Sequence, residues 1–491
     1  MARVPQIDPL DLLAAASRRK IDAVMLGRPA DGFGMVGLGR AWEFDGGGPD
    51  RFARASRAWQ ALMHDSVTGD SVVVGGGAQD STPGGDPCGW MRAGPVVLGG
   101  FAFTHDAAAE GVWAGFPASR LVLPRVMVAC AGGSTWITLA ELVDPGADLE
   151  LGPGGVTGVG QGQTAGDLDG AGVDECLDIA TEAMAGPFYP DARGRDALTA
   201  PGNDVRAVAK VTGGVPPEEL PARDVWKRRV ASAAEAVRKG ELRKIVLARS
   251  LRVAGIAFDP VQVLRRLRSG YPTCTLFAVS RGEGWFVGAT PERLVRVRSG
   301  EVKAMALAGS APRGRTADED RRLGESLLAS AKDRVEHDLV VEQLREALDG
   351  PCESLAVAAS PSLLRMPNVQ HLCTPVRARL RNHSTVVDLA GRLHPTPAVG
   401  GVPRAEALEW IRRHEGLDRG WYAGSVGWMD RAGEGEFSVA IRSAILRGSD
   451  AVLYAGCGIV ADSDPELEYE ESCLKLRPML SALGGGHEGG Q

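Results

Sequence analysis

No stretch of this 491-residue chain approaches the roughly 20 unbroken apolar residues that a bilayer-spanning helix needs. It also lacks a Cys-x-x-Cys pair, a cysteine-histidine metal spacing, an excess of basic charge and a fixed-period repeat. Each absence removes a class of function. With a formal net charge of -7 there is no broad basic surface through which phosphate binding releases counterions, so nucleic acid is not an expected partner, although a local basic pocket is still compatible. The cysteines at 88, 130, 176, 274, 352, 373, 457 and 473 are scattered and read as reduced thiols. The opening segment 1–20 contains Asp8 and Asp11 and only a short apolar run, Leu12 to Ala16, which is not the pattern of a secretory leader. The expected setting is the cytoplasm.

What is present suits a globular enzyme: 44% of residues are hydrophobic and 24% charged. Residues 1 to about 145 mix apolar runs, such as Val96 to Leu98 and Val126 to Val128, with glycine turns at 46–48 and 75–77, which predicts strands with tight connections. Glycine and small polar residues dominate 144–173, where a loop is expected. Its Gly158-Val159-Gly160-Gln161-Gly162 lacks a correctly spaced third glycine and the strand-to-helix setting of a dinucleotide site. After a break near 213–217 the signals sharpen. Periodicity predicts a helix over 222–239, a buried strand over 244–248, a helix over 318–349, strands over 436–446 and 452–454, and a last helix over 464–483. Strands and helices interleave without regular alternation, which favours an α+β fold over a doubly wound sheet. The expected division is a scaffold half, 1–215, and a catalytic half, 216–485, in one compact unit.

Two acidic patterns carry chemistry. Ser463-Asp464-Pro465-Glu466 reads as a capping box that starts a helix, on which Glu468, Glu471 and Lys475 share one face at i, i+3 and i+7. A solvated salt-bridge face has the same pattern. Before it, Tyr454-Ala455-Gly456-Cys457-Gly458-Ile459-Val460 reads as a glycine-rich strand-to-helix turn, a place where backbone N–H groups meet anions. Cys457 reads as a small residue at a close backbone approach rather than as a nucleophile. In Lys332-Asp333-Arg334-Val335-Glu336-His337, Asp333 and Glu336 again lie three apart. Two helices offering such pairs suit a hard cation such as magnesium, which keeps waters and shares its shell with substrate oxygens. Spacing alone does not separate that from surface ion pairing.

Five segments then stand in one order: Gly288-Ala289-Thr290-Pro291-Glu292-Arg293-Leu294, Ala306-Leu307-Ala308-Gly309-Ser310-Ala311-Pro312-Arg313-Gly314, the Lys332 to His337 run, Leu393-His394-Pro395-Thr396-Pro397-Ala398, and Ala455 to Lys475. Together, over about 218–482, they resemble the chorismate-utilising enzymes that make isochorismate, salicylate, anthranilate or aminodeoxychorismate. In the N-terminal half, Gly99-Gly100-Phe101-Ala102-Phe103 and the stretch from Phe116 to Arg125 are similar to the isochorismate-forming members. The resemblance implies a two-lobed chorismate-binding fold, with antiparallel sheets in a central sandwich and helices packed outside.

It also implies roles. Glu336 and Glu471 would ligate Mg2+ directly, with Asp333 and Glu468 holding its waters; Asp333 stands where the family commonly has glutamate, and its shorter reach puts that role in doubt. Arg442 would grip the enolpyruvyl carboxylate with Tyr422 beside it, because a guanidinium fork matches a carboxylate. Lys475 would help neutralise a carboxylate, while backbone approaches substrate at Gly309, Gly456 and Gly458. His371 would lie near the substrate ring, and His394 would support a turn. Leu307 and Ala398 would shape the wall that selects water. Lys244 decides the reaction class, since members that add water at C2 place a lysine there as general base and ammonia users typically do not. To accept a proton it must be neutral, which burial and nearby positive charge favour. Glu292 would be the acid that protonates the departing C4 hydroxyl.

The expectation is therefore magnesium-dependent hydration of the small molecule chorismate to isochorismate by a monomer with no nucleic-acid or membrane partner. Salicylate synthase shares Lys244, Glu292 and the carboxylates but continues to pyruvate elimination. An ammonia-using synthase would need a glutamine-hydrolysing partner, and a non-catalytic binding subunit would have no chemical need for all four groups. Whether the product feeds menaquinone, a catechol siderophore or salicylate is not written in these motifs.

Overall fold

A computed structural model describes residues 7–64, 94–131 except 108, 134–141, 151–152, 155–156, 172–185 and 216–484 except 256, 368 and 382. The glycine runs 75–77 and 158–162, Cys88 and most of the 144–173 connection lie outside these residues. Two large antiparallel sheets dominate. The first runs, from edge to edge, through Glu218–Leu220, Lys244–Ala254, Asp450–Ile459, Ser443–Arg447, Gly284–Thr290, Thr275–Arg281, Ala23–Arg28, Phe33–Leu38, Val126–Ala131 and Ser134–Leu139. The second runs through Cys352–Val357, Val369–Leu380, Glu301–Pro312, Arg293–Arg298, Gly435–Val439, Ser425–Asp430, Val96–Phe101, Ser119–Leu123 and Trp42–Asp45. Strands from before and after residue 215 stand in both sheets.

Alternation along single strands explains the layering. In Ala23–Arg28, Val24 and Leu26 join the core between the sheets, together with Phe277 and Phe286 of the first sheet and Phe101 and Phe437 of the second. Met25, between them in sequence, joins a separate core on the outer face of the first sheet. Helices Pro9–Arg18, Pro260–Gly270 and Pro465–Gly484 supply Leu13, Leu264 and Met479 to that outer core. The result is an α+β sandwich with helices outside, as the sequence predicts. Helix starts follow side-chain chemistry: at Pro260–Gly270 the Asp259 carboxylate accepts from the N–H of Val261 at 2.9 Å, and proline takes the first position. Among the described residues no helix is long and apolar enough to cross a membrane, and the seven described cysteines are free thiols.

Four local expectations are corrected. The helix expected over 318–349 is two, Ala317–Ala329 and Ala331–Asp349, because Ser330 leaves helical geometry (φ -64°, ψ 114°) to accept from the N–H of Asp333 and cap the second. The strand expected over 436–446 is also two, Gly435–Val439 in the second sheet and Ser443–Arg447 in the first, since the chain changes sheets at 440–442. Gly456 and Gly458 do not form a strand-to-helix turn; they lie within strand Asp450–Ile459, opposite Ala248 and Val246. The last helix is capped by Asp464, which accepts from the N–H groups of Glu466 and Leu467, leaving the Ser463 hydroxyl to donate to Glu468 at 2.8 Å.

Candidate active site

Two neighbouring crossings between the sheets frame the cleft. Between strands Gly284–Thr290 and Arg293–Arg298 the chain passes from the first sheet to the second through Pro291 and Glu292. At 440–442 it passes back, ending on Arg442, which adopts φ +53°, a backbone region costly for any residue with a Cβ. The crossings hold each other: Val439 N–H donates to Glu292 O at 2.9 Å, and Ala289 N–H to Arg442 O at 3.2 Å. A chain leaving a sheet cannot present its side chains to the core in alternation, so Glu292 and Arg442 turn toward the cleft there. That cleft encloses about 640 Å3 of empty space, open mouth included, and is lined by Glu292, Leu307, Gly309, Glu336, His371, Ala398, Tyr422, Arg442, Gly456, Gly458, Glu471 and Lys475. Residues from Val246 to Lys475, far apart in sequence, thus meet in one place.

Lys244 opens strand Lys244–Ala254 and is fully buried, with Nζ 2.8 Å from Glu336 Oε1 on helix Ala331–Asp349. Glycine at 458 makes this pair possible, because a Cβ there would stand 2.5 Å from Glu336 Oε1 and 2.9 Å from Lys244 Cε. On helix Pro465–Gly484, Lys475 pairs with Glu471 at 2.6 Å and donates to Gly456 O at 2.9 Å. Lys332 and the Ser463 hydroxyl donate to buried Glu468, at 3.1 and 2.8 Å. Asp333 accepts from Ser330, and its Cβ lies 3.2 Å from where a Cβ on Gly309 would stand. Lys244, Asp333 and Glu468 stand behind the cleft wall rather than in it.

The charge balance separates the acids. Burial dominates at Glu292, which forms no ion pair among the described residues; it is pushed up to about 7 even though Lys244, Arg442 and Lys475 pull the other way. Burial also raises Glu336, but the ammonium groups of Lys244, Lys475 and Lys332 outweigh it and leave this carboxyl below its ordinary value. Glu468 is raised by burial and then by Glu471. Burial drives His371 down to about 3, so its ring is neutral; its Nδ1 lies 2.9 Å from Ser310 Oγ and 3.3 Å from Gly309 O. His394 is likewise neutral and buried, with Nε2 3.1 Å from Phe103 O, where it ties two loops together.

The donor set suits a hard divalent cation. Ligand atoms of Glu468, Glu471 and Cys457 lie within 4.8 Å of one another, and Glu336 and Glu471 share the cleft. Cys457 adds no soft ligand: burial raises its thiol well above the usual range, and it donates to Glu468 O at 3.1 Å. Sequence reasoning missed Arg419, Val246, Val399 and Ser310, which also line the cleft. For Arg419 the one available signal was the Glu415/Arg419 spacing, which reads on its own as a surface helix pair.

A family model described as chorismate binding enzyme matches residues 1–152 and 202–484. The chain belongs to the chorismate-binding enzymes. Among relatives of this family, the salicylate biosynthesis isochorismate synthase of Pseudomonas aeruginosa is 38% identical over 98% of this chain and 90% of its own length. The isochorismate synthase MenF of Bacillus subtilis is 37% identical over 80% of this chain and 75% of its own. Among solved structures, DhbC from Bacillus anthracis superposes with a TM-score of 0.67 at 26% identity, covering 97% of this chain and all of that one. The match includes both the N-terminal strands and the crossings that frame the cleft.

Proposed function

We propose that this chorismate-binding enzyme is an isochorismate synthase, adding water at C2 of chorismate as the C4 hydroxyl departs. The observation that carries the reading is a buried amine and a buried carboxyl without an ion-pair partner among the described residues serving one cleft: Lys244 stands behind Glu336 in its wall, and Glu292, pushed up to about 7 by burial, opens onto it. A hydration with loss of hydroxyl needs one group to take a proton and another to give one. Lys244 takes a proton from the incoming water, and Glu292 delivers one to the leaving C4 oxygen.

Arg442 holds the enolpyruvyl carboxylate with the Tyr422 hydroxyl beside it, and Lys475 faces the second carboxylate. Leu307 and Ala398 close the ring's surroundings, Gly309, Gly456 and Gly458 leave room for the ring, and the neutral His371 lies against it. Glu336 and Glu471 are the carboxylates that would hold Mg2+, with Glu468 and Asp333 the groups that would hold its waters. The ion would supply charge neutralisation at the ring carboxylate. Glu336 cannot serve Lys244 and a cation equally, so work as a base requires Lys244 to leave the ion pair seen here. The setting proposed is a cytoplasmic monomer.

Incubation with chorismate and magnesium, followed by chromatography of the products, tests the reading. Isochorismate is expected, in equilibrium with chorismate. Salicylate and pyruvate appearing without an added lyase would overturn it, as would an ammonium-dependent aminated product.

A further inference from the structure

The edge of strand Lys244–Ala254 that faces away from Asp450–Ile459 is covered in two separate places. At its start Lys244 and Ile245 pair with Val402 and Gly401, and the ladder ends where Val246 N–H donates to Gly400 O at 2.8 Å. At its far end Ser250, Leu251 and Arg252 pair with Glu218–Leu220. Between them no strand covers the edge, yet Val246 and Ala248 are buried. A backbone hydrogen bond left unmade at such a place is costly, because the group has given up water and gained no partner.

Two side chains fill the gap. Glu415 accepts from Ala248 N–H at 2.7 Å, and Arg419 donates to Val246 O at 2.7 Å. The two are paired through both carboxylate oxygens, at 2.6 and 2.5 Å, and both are almost wholly buried. Arg419 also donates to Val399 O at 2.9 Å, in the 396–400 turn that carries Ala398. Four of its five N–H bonds are therefore committed to protein, so it is not free to grip a substrate carboxylate as Arg442 is. Its own carbonyl accepts from Tyr422 N–H at 2.8 Å.

We propose that the Glu415–Arg419 pair is a positioning element of the reaction. It stands in for a missing strand and holds the base-bearing strand and the Ala398 turn at one separation, so fixing where water sits relative to Lys244. This rests on reading the cleft as a hydration site. A lysine at 419 would keep the charge but lose the planar fork that reaches Glu415, Val246 O and Val399 O together.

Steady-state kinetics with chorismate and magnesium on the wild type, Arg419→Lys, Glu415→Gln and a control, Arg120→Lys, test this. Arg120 is an equally buried arginine, paired with Glu43 at 2.6 Å and outside the cleft lining. Both pair variants are expected to lose about 10- to 100-fold in kcat, as small misplacements do, with KM within about threefold. The control should melt lower and keep kcat within about twofold. The proposal is overturned if both pair variants keep wild-type kcat, if they raise KM and leave kcat alone, or if the control loses kcat to the same degree at a matched melting temperature. If Arg419→Lys does not accumulate folded, Glu415→Gln decides alone, since its amide oxygen still accepts from Ala248. A wild type that forms no isochorismate counts against the proposed function and not against this element.

Discussion

Two carboxyl groups of the same chemistry, one partly and one fully buried, have opposite fates in this protein. Glu43, on the Trp42–Asp45 strand, accepts from Arg120 and Arg281 at 2.6 Å and from Arg40 at 2.5 Å. Burial alone would raise it, but the surrounding guanidinium groups, Arg120 foremost, bring it down to about 2. Glu292, at a sheet crossing, has no ion-pair partner among the described residues and rises to about 7. Where a buried acid only has to hold structure, cations are brought into contact and its charge is secured. Where it has to give up a proton, as proposed for Glu292, no cation pairs with it among the described residues and burial favours the protonated form. The cost is local instability at the site, which the rest of the fold offsets.

The largest expected effect comes from removing the base. Lys244→Ala should lower kcat by about 100- to 10,000-fold while chorismate still binds, as calorimetry would register; near-normal turnover would refute its role. Glu292→Gln should cost activity within the same range and, unlike most active-site changes, stabilise the fold at alkaline pH. The sign follows from linkage. Between the ordinary 4.5 and the native value near 7, the folded protein keeps a proton that the unfolded chain has released, so stability falls as pH rises through that window and the deficit persists above it. The variant lacks this deficit, by about 3 kcal/mol at most, and should out-melt the wild type at pH 8 but not below pH 4.5.

Glu43→Ala should do the reverse: a loss of up to about 3–5 kcal/mol at neutral pH, because buried Arg120 keeps only Asp22, at 3.3 Å, as an ionic partner, with kcat of the folded fraction unchanged. Glu43 is depressed from 4.5 to about 2, so its contribution is complete above 4.5 and disappears as pH falls toward 2; wild type and variant should converge in acid melts. Equal effects of the two substitutions on both readouts would erase the contrast. Gly458→Ala should have the smallest effect, about 10-fold in kcat, because its methyl group intrudes on Glu336 and Lys244 and shifts the pair. Unchanged kinetics would show that the pair has slack.

Much of the architecture was legible because it is written locally. Short apolar runs between glycine turns gave strands such as Val96–Phe101 and Val126–Ala131, and the carboxylate spacings placed Glu336 and Glu471 on two helices that do line one cleft. The residue list for the cleft came from resemblance, since nothing in the local pattern at Leu307, Ala398 or Tyr422 distinguishes a wall from a core. The misses share a cause. The breaks at Ser330 and at 440–442 depend on hydrogen bonds and on which sheet the next segment joins, and periodicity does not encode either. Glu415 and Arg419 drew no reading because the strand edge they cover, some 170 residues earlier, is invisible in their neighbourhood.

Strand Asp450–Ile459 lies between Lys244–Ala254 and Ser443–Arg447, in the interior of the first sheet rather than at its edge. A growing chain therefore carries the Lys244 strand with one side bare until about 200 further residues have been made. At cellular elongation rates that is on the order of 10–40 s, during which an apolar strand edge is available to other nascent chains. Yield on expression should accordingly depend on elongation speed and on chaperone supply more than on the stability of the finished enzyme.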